Sequence, residues 1–229
     1  MGFPSQAGDD CAMSHWEKCL IAVAIAAAIV VPTAPAQATG EKASVVLETL
    51  AVKGRAPKTG YTRDQFGQTW ADVDRNGCDT RNDILKRDLT GVTYKSAGDD
   101  CVILTGTLAD PYSGEKISFL RGTATSSEIQ IDHVVALSDA WQKGAQKLSL
   151  TTRTALANDP LNLMAVKGKL NSQKGDGDAA TWLPPLKSYR CAYVARQIAV
   201  KAKYSLWVTI AEKNAIKGIL SKCPDQLIP

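Results

Sequence analysis

The chain has 229 residues, 45% hydrophobic and 22% charged, with 17 Gly, 10 Pro and a formal net charge of +4. That balance supplies enough apolar side chains for a sizeable core and excludes a chain that is disordered over most of its length. A modest positive charge suits a polyanionic partner without proving one.

Cys19 to Val31 is an apolar run of thirteen residues, preceded by Lys18 and broken by Pro32 and Pro35. It falls short of the ~20 residues a spanning helix needs. The A-x-A pattern of Ala36-Gln37-Ala38 follows it, so residues 1–38 read as a cleaved signal peptide rather than a membrane anchor, with Met13 an alternative start. The mature protein is then expected to be secreted, off the membrane and monomeric. Losing residues 1–38 removes one lysine and three acids and raises the formal charge to +6. Four cysteines remain, Cys78, Cys101, Cys191 and Cys223, an even number suited to an oxidising compartment, and none forms a C-x-x-C pair. Three pairings are open. Cys78–Cys101 with Cys191–Cys223 is favoured, because each closes a local loop and leaves the segment between them free to carry chemistry; each would contribute about 3–4 kcal/mol.

Residues 39–60 read as a short helix carrying Val45, Val46, Leu47 and Leu50, then a linker punctuated by Gly and Pro. Residues 61–229 form the main domain. Its first part is rich in turns and becomes helical from about Thr80. CVILTGTL and KISFLRG are strand-like runs separated by the turn DPYSGE, which reads as a hairpin. EIQIDHVVAL, from Glu128 to Leu137, reads as a strand running into an irregular turn. Short helices follow in DAWQKGA and TTRTALAND, then a strand-like LNLMAV and a short polar helix or turn in KGKLNSQKGD. From Ser188 to about Leu220 two helices are expected, with Trp207 near their join. The fold class is α+β, without internal repeats.

Residues 39–229 contain a single histidine, His133. This excludes zinc sites built on two or three histidines and any pair of catalytic imidazoles. His133 directly follows Asp132. Neighbours in a regular strand point to opposite faces, so the pair is expected where the backbone turns, with Asp132 on a hard cation and His133 on a water. Downstream stand Asn162 in DPLNL and Asn171 in KLNSQKGD, nine residues apart. A lone His beside Asp, or a lone Asn at a turn, is ordinarily structural; the ordered set is not ordinary.

The segment 131–176, with its DH, its Asn in the second strand and a third Asn nine residues on, resembles the ββα-metal motif of HNH endonucleases. More narrowly, the chain resembles secreted members related to the C-terminal domain of the GmrSD restriction enzymes. The motif match runs over about 128–183, and WADVDRNGCDTRNDILKRDL and YRCAYVARQIAVKAKYSLWVT extend the resemblance over most of the mature chain. The resemblance implies a ββα-metal core, with the hairpin region before it and helices after it. It also implies hydrolysis of nucleic-acid phosphodiesters, of DNA in preference to RNA, with little sequence specificity. Asp132 would be a metal ligand, His133 the general base, Asn162 the residue that holds the His133 loop, and Asn171 the second metal ligand. Many relatives have a histidine at that last place. Oxygen ligands from Asp and Asn favour one Mg²⁺ or Mn²⁺ over zinc or nickel.

Lys174 and Lys169 are candidate phosphate contacts, weighed against solvated lysines. Arg190, Tyr193, Arg196, Gln197, Lys201 and Tyr204 recur at helical spacing, either as a face that grips a nucleic-acid backbone or as a solvated face, and Arg81 is a weaker case. Asp176 and Asp178 sit in a Gly-Asp turn beside the motif. Asp72-x-Asp74-x-Asn76-Gly77 with Asp83 partly mimics a calcium loop, although a plain turn is the better reading. Two alternatives stay open: an inactive HNH scaffold that only binds, and a secreted hydrolase of another ester, for which no G-x-S-x-G is present.

Overall fold

The computed structural model describes residues 40–98 and 100–229; the signal peptide expected over 1–38 lies outside the described residues. Residues 39–229 form one compact unit.

The first helix, α1 (Ala43–Thr49), buries Ala43, Val46 and Leu47. An extended segment follows and closes in a 3-10 turn, Arg63–Phe66. α2 (Thr80–Asp88) starts where Asp79 accepts a hydrogen bond from the main-chain N–H of Asn82, an N-cap ahead of the helix-forming run. Three antiparallel strands come next, β1 (Leu89–Tyr94), β2 (Ile103–Ala109) and β3 (Lys116–Leu120), paired in the order β1-β2-β3. The expected hairpin is therefore two thirds of a sheet. β1 escapes sequence reading because Gly91 interrupts it at φ 61° and only Leu89 is buried.

β4 (Ile129–His133) and β5 (Leu163–Lys167) form a separate antiparallel pair, in the register Ile131↔Ala165, Asp132↔Met164 and His133↔Leu163. α3 (Leu137–Gln142) and α4 (Leu150–Asn158) lie between them in the chain, and α5 (Gly168–Lys174) leaves β5 directly and packs on both strands. α6 (Arg190–Lys203) and α7 (Ile210–Leu220) complete the chain, with Trp207 at their join as expected. The favoured disulfides, Cys78–Cys101 and Cys191–Cys223, are both formed.

The β4–β5 pair is buried on both faces. Ile129, Ile131, Leu163 and Ala165 pack with Ile84, Leu85 and Phe119 of α2 and the three-stranded sheet. Val134, Met164 and Val166 pack instead with Leu47, Val194, Ile198 and Ile216 of α1, α6 and α7. Burial on two sides explains why LNLMAV is continuously apolar rather than alternating. It also makes the pair a rigid platform: truncating Leu163, fully buried, would cost about 2–5 kcal/mol.

α6 is turned the other way from the sequence reading. Tyr193, Gln197, Lys201 and Tyr204 are buried. Lys201 lies 2.8 Å from Glu212 Oε1 and 3.3 Å from Asp139 Oδ2, while Lys143 contacts Asp139, Asp178 and Glu212 at 2.7 Å each. A charged residue can face the core when opposite charges meet it there, and this cluster ties α3, α6 and α7 together.

Candidate active site

Asp132 and His133 occupy the last two positions of β4, and regular pairing continues through His133↔Leu163. The pair therefore does not sit where the backbone turns, as the sequence reading required; the turn begins at Val134. The two side chains obey strand alternation and meet different neighbours. They nonetheless border one cleft of about 230 Å³, because Ile131, Asp132 and His133 line it consecutively along the edge of β4 that β5 leaves unpaired. Asn171 of α5 lines the same cleft. The structure thus brings Asp132, His133 and Asn171 together.

The imidazole is fixed by its surroundings. Its Nε2 lies 2.9 Å from the main-chain oxygen of Ala157. A carbonyl oxygen only accepts, so Nε2 carries the proton and Nδ1 keeps its lone pair. The Trp70 ring lies nearly parallel to it, 6.0 Å away between centroids with 12° between planes. Burial pushes the His133 pKa down to about 3, the charges of Arg63 and Lys174 acting in the same sense and the Ala157 hydrogen bond against it. The ring is neutral at physiological pH.

Asn162 is fully buried and holds the chain just after His133. Its Oδ1 accepts from Val135 N–H at 2.8 Å, its Nδ2 donates to the oxygens of Val135 and Leu156 at 3.3 Å, and its own carbonyl accepts from Val134 N–H at 2.8 Å. Gln197 adds a hydrogen bond from Nε2 to the Val134 oxygen at 3.1 Å. The turn at 134–135 would otherwise carry unpaired buried main-chain groups.

Lys174 is a correction. It is not a surface phosphate contact: its side chain is buried, with Nζ 2.9 Å from Asp132 Oδ1 and 2.7 Å from the His133 main-chain oxygen. Asp132 draws it inward, because a carboxylate shut away from water needs a counter-charge. Tyr112 donates to the other carboxylate oxygen. Burial, with the Asp132 charge second, holds the Tyr112 hydroxyl well above the usual phenol range, so it stays a donor. The DPYSGE turn delivers it: Asp110 accepts from Ser113 N–H at 2.8 Å and from Lys167 N–H at 2.9 Å, clamping the turn to β5. Sequence reasoning missed Tyr112, and its one local signal was that turn.

Asn171 donates from Nδ2 to Gln130 Oε1 at 2.9 Å, while Gln130 Nε2 donates to the Ser127 oxygen at 3.4 Å. The chain of donors leaves Asn171 Oδ1 as the free acceptor. Asp132 has one hydrogen bond on each oxygen, and each oxygen retains a second lone pair. This donor set suits a hard cation that keeps most of its waters. Among the described residues no group of three or more His, Cys, Asp or Glu converges as a metal site.

The expected nucleic-acid contacts lie elsewhere. Arg190 donates to the Pro184 oxygen, and Arg196 to the oxygens of Leu161 and Pro160. Arg81 is half-buried, with Nη1 lacking a hydrogen-bond partner among the described residues. None of the three lines the cleft, whereas Lys169 is exposed on α5. Asp176 lines the cleft and pairs with Lys58 at 2.7 Å; Asp178 pairs with Arg55 and Lys143. In the calcium-like loop, Asp72 accepts from Asn76 and Gly77 N–H and Asp83 from Asn76 Nδ2, the bonding of a self-contained turn.

An uncharacterized secreted protein of Arthroderma benhamiae is 37% identical over 195 residues, covering 84% of this chain and 90% of that protein. With a secreted relative of this extent and two disulfides, the protein is secreted. No solved structure matches the chain. Residues 79–219, which carry β1 to β5 and the Asp132, His133, Asn162 and Asn171 constellation, match the GmrSD restriction endonucleases, C-terminal domain, and the chain belongs to that nuclease family.

Proposed function

We propose that this secreted protein is a metal-dependent endonuclease of largely sequence-nonspecific action, cutting DNA in preference to RNA, and that β4, β5 and α5 are its ββα-metal core. The observation that carries the reading is the tautomer of His133. With the proton held on Nε2 by the Ala157 carbonyl, Nδ1 is the lone pair available to a water. Burial leaves the ring neutral and that lone pair free across the neutral range, and by the same lowering of its pKa makes it a weaker base than an exposed imidazole. Asn162 and Gln197 hold the turn after His133, so the imidazole keeps its aim.

Asp132 and Asn171 would hold the cation, Mg²⁺ or Mn²⁺ by the hardness of their oxygens. A bound divalent ion supplies stabilisation of the negative charge that grows on the phosphate and the leaving oxygen. Tyr112 and Lys174 hold the Asp132 carboxylate in orientation through one hydrogen bond to each oxygen. No covalent intermediate is required, since His133 delivers water directly.

A second reading, a binding protein on an inactive scaffold, draws on the same engagement of both Asp132 oxygens. Plasmid digestion decides between them: wild type against His133→Ala, with Mg²⁺, Mn²⁺, Ca²⁺ or Zn²⁺ and with EDTA. The nuclease reading expects cleavage by wild type, a loss of about a hundredfold or more in the variant, and silence in EDTA. Equal cutting by the two proteins sinks the mechanism, and no cutting by wild type with any ion favours the scaffold.

A further inference from the structure

We propose that Arg63 binds the non-bridging oxygens of the scissile phosphodiester and stabilises the charge they gain as water attacks, an inference that rests on the nuclease reading above. Arg63 precedes residues 79–219, so membership of the family assigns it nothing.

Position comes first. Arg63 lines the cleft bordered by Asp132, His133 and Asn171, and it also lines the smaller adjoining cavity whose wall is His133 and Trp70. Among the described residues it is the sole Lys or Arg on the wall of that cleft. Availability comes second. Other nearby cations are engaged, Arg55 with Asp139 and Asp178, Lys58 with Asp176, Arg153 with the oxygens of Gln65 and Leu148, and Lys174 with Asp132, while Lys169 is exposed on α5 and does not line the cleft. Arg63 is exposed, and its guanidinium has no hydrogen bond or ion pair among the described residues. A free planar fork of donors at the edge of a cleft is matched to a phosphate.

The electrostatics call for it. Lys174 and Asp132 neutralise each other, as do Lys58 and Asp176, so neither lysine offers net charge to an incoming anion. A phosphodiester brings one negative charge and approaches a second as the water adds. Arg63 is the charge left on the cleft wall to meet it.

The fold supports the base of Arg63 and leaves its head free. Its 3-10 turn is pinned by buried Phe66, and Arg153 Nε donates to the Gln65 oxygen at 2.5 Å. Gly67 closes the turn at φ 75°, where an added Cβ would stand 2.2 Å from Thr154 Oγ1. Upstream, Trp141 Nε1 donates to the Thr59 oxygen at 3.3 Å and Ala56 N–H to the Gln142 oxygen at 2.9 Å, fastening the segment to α3. A segment anchored this well delivers one unanchored guanidinium to the catalytic edge of β4.

The test is steady-state cleavage of a short duplex DNA by the full secreted protein at saturating Mg²⁺ or Mn²⁺. Wild type is compared with Arg63→Ala, Arg63→Lys and His133→Ala, with and without added methylguanidinium. Arg63→Ala should lose about a hundredfold or more in kcat at unchanged melting temperature, because the side chain has no folded-state partner. Methylguanidinium should restore part of that rate, and none to His133→Ala. Arg63→Lys should fall between, keeping the charge and losing the fork. Wild-type kcat in Arg63→Ala beside a dead His133→Ala overturns the assignment and leaves the nuclease reading standing. A loss that neither methylguanidinium nor lysine relieves also overturns it, since it marks a structural role. A fully active His133→Ala instead brings down the nuclease reading, and this assignment with it.

Discussion

Lys174 Nζ lies 2.9 Å from Asp132 Oδ1, and both side chains are shut away from solvent, 0% and 4% exposed. The two stand 42 residues apart in the chain, one closing α5 and the other near the end of β4. Their ion pair locks the helix to the strand and sets the carboxylate at the cleft. Lys174→Met would leave a buried carboxylate without its counter-charge, a loss of about 3–5 kcal/mol by analogy with other broken buried pairs. Urea denaturation of the variant checks this; a midpoint equal to wild type would contradict the buried pairing. Cleavage should fall as well, because the carboxylate loses its orientation.

A second expectation concerns Asn162. Its side chain makes three hydrogen bonds to main-chain groups, two of them on Val135. Asn162→Ala strands a buried N–H and two carbonyls, for about 2–4 kcal/mol in total. Cation binding by Asp132 and Asn171 should persist in this variant while kcat drops, since only the His133 turn loosens. Isothermal titration with Mn²⁺ alongside initial rates separates the two effects; unchanged rates would remove the positioning role.

Acid stability follows from His133. The folded state holds its pKa at about 3, below the ~6.5 of an unfolded chain. Between those values the unfolded chain binds the extra proton. The contribution is therefore complete above pH ~6.5 and drains away as pH falls toward ~3, at up to ~1.4 kcal/mol per pH unit. Carboxylates add their own losses at low pH, so the comparison must be with His133→Gln, whose stability should fall less steeply between pH 6.5 and 4.5. Parallel curves would show the imidazole protonating in the folded protein near its ordinary pKa. Activity, for the same reason, should show no histidine limb between pH 5 and 8.

Asn171→Ala should leave the fold intact, since Asn171 is only half-buried and its single side-chain hydrogen bond goes to Gln130. The Mg²⁺ or Mn²⁺ concentration for half-maximal cleavage should rise tenfold or more, about the loss of one oxygen ligand or of its support. Unchanged metal dependence would release Asn171 from the ligand role.

The two disulfides close loops of 23 and 32 residues. Loop-entropy reasoning gives each about 3.5 kcal/mol. Replacing Cys191 and Cys223 together by Ser should lower the thermal midpoint by several degrees, α6 and α7 losing their covalent tie. No change in midpoint would mean that the bridge gives no net stabilisation, its effect on the unfolded chain being offset by residual structure there or by strain in the folded state.

Much of this molecule could be read from local pattern. The helix from about Thr80, the β2–β3 turn, the apolar β5 and the helix pair joined at Trp207 follow from residues close together in the chain, and the order Asp132, His133, Asn162, Asn171 is legible along one segment. Periodicity and turn chemistry act over a few residues, so sequence alone determined most of the elements, β1 excepted, and put forward the side chains proposed to carry chemistry. It could not determine facing. Lys174 and Lys201 look like solvent-facing cations until Asp132, Asp139 and Glu212 arrive from other elements to neutralise them in the interior. Tyr112 becomes a partner of Asp132 only when a turn twenty residues earlier folds beneath β4, and Arg63 reaches the cleft only because Trp141 and Phe66 fasten its segment there. Burial of a charge depends on a counter-charge brought from a distance, and that meeting is decided by tertiary packing.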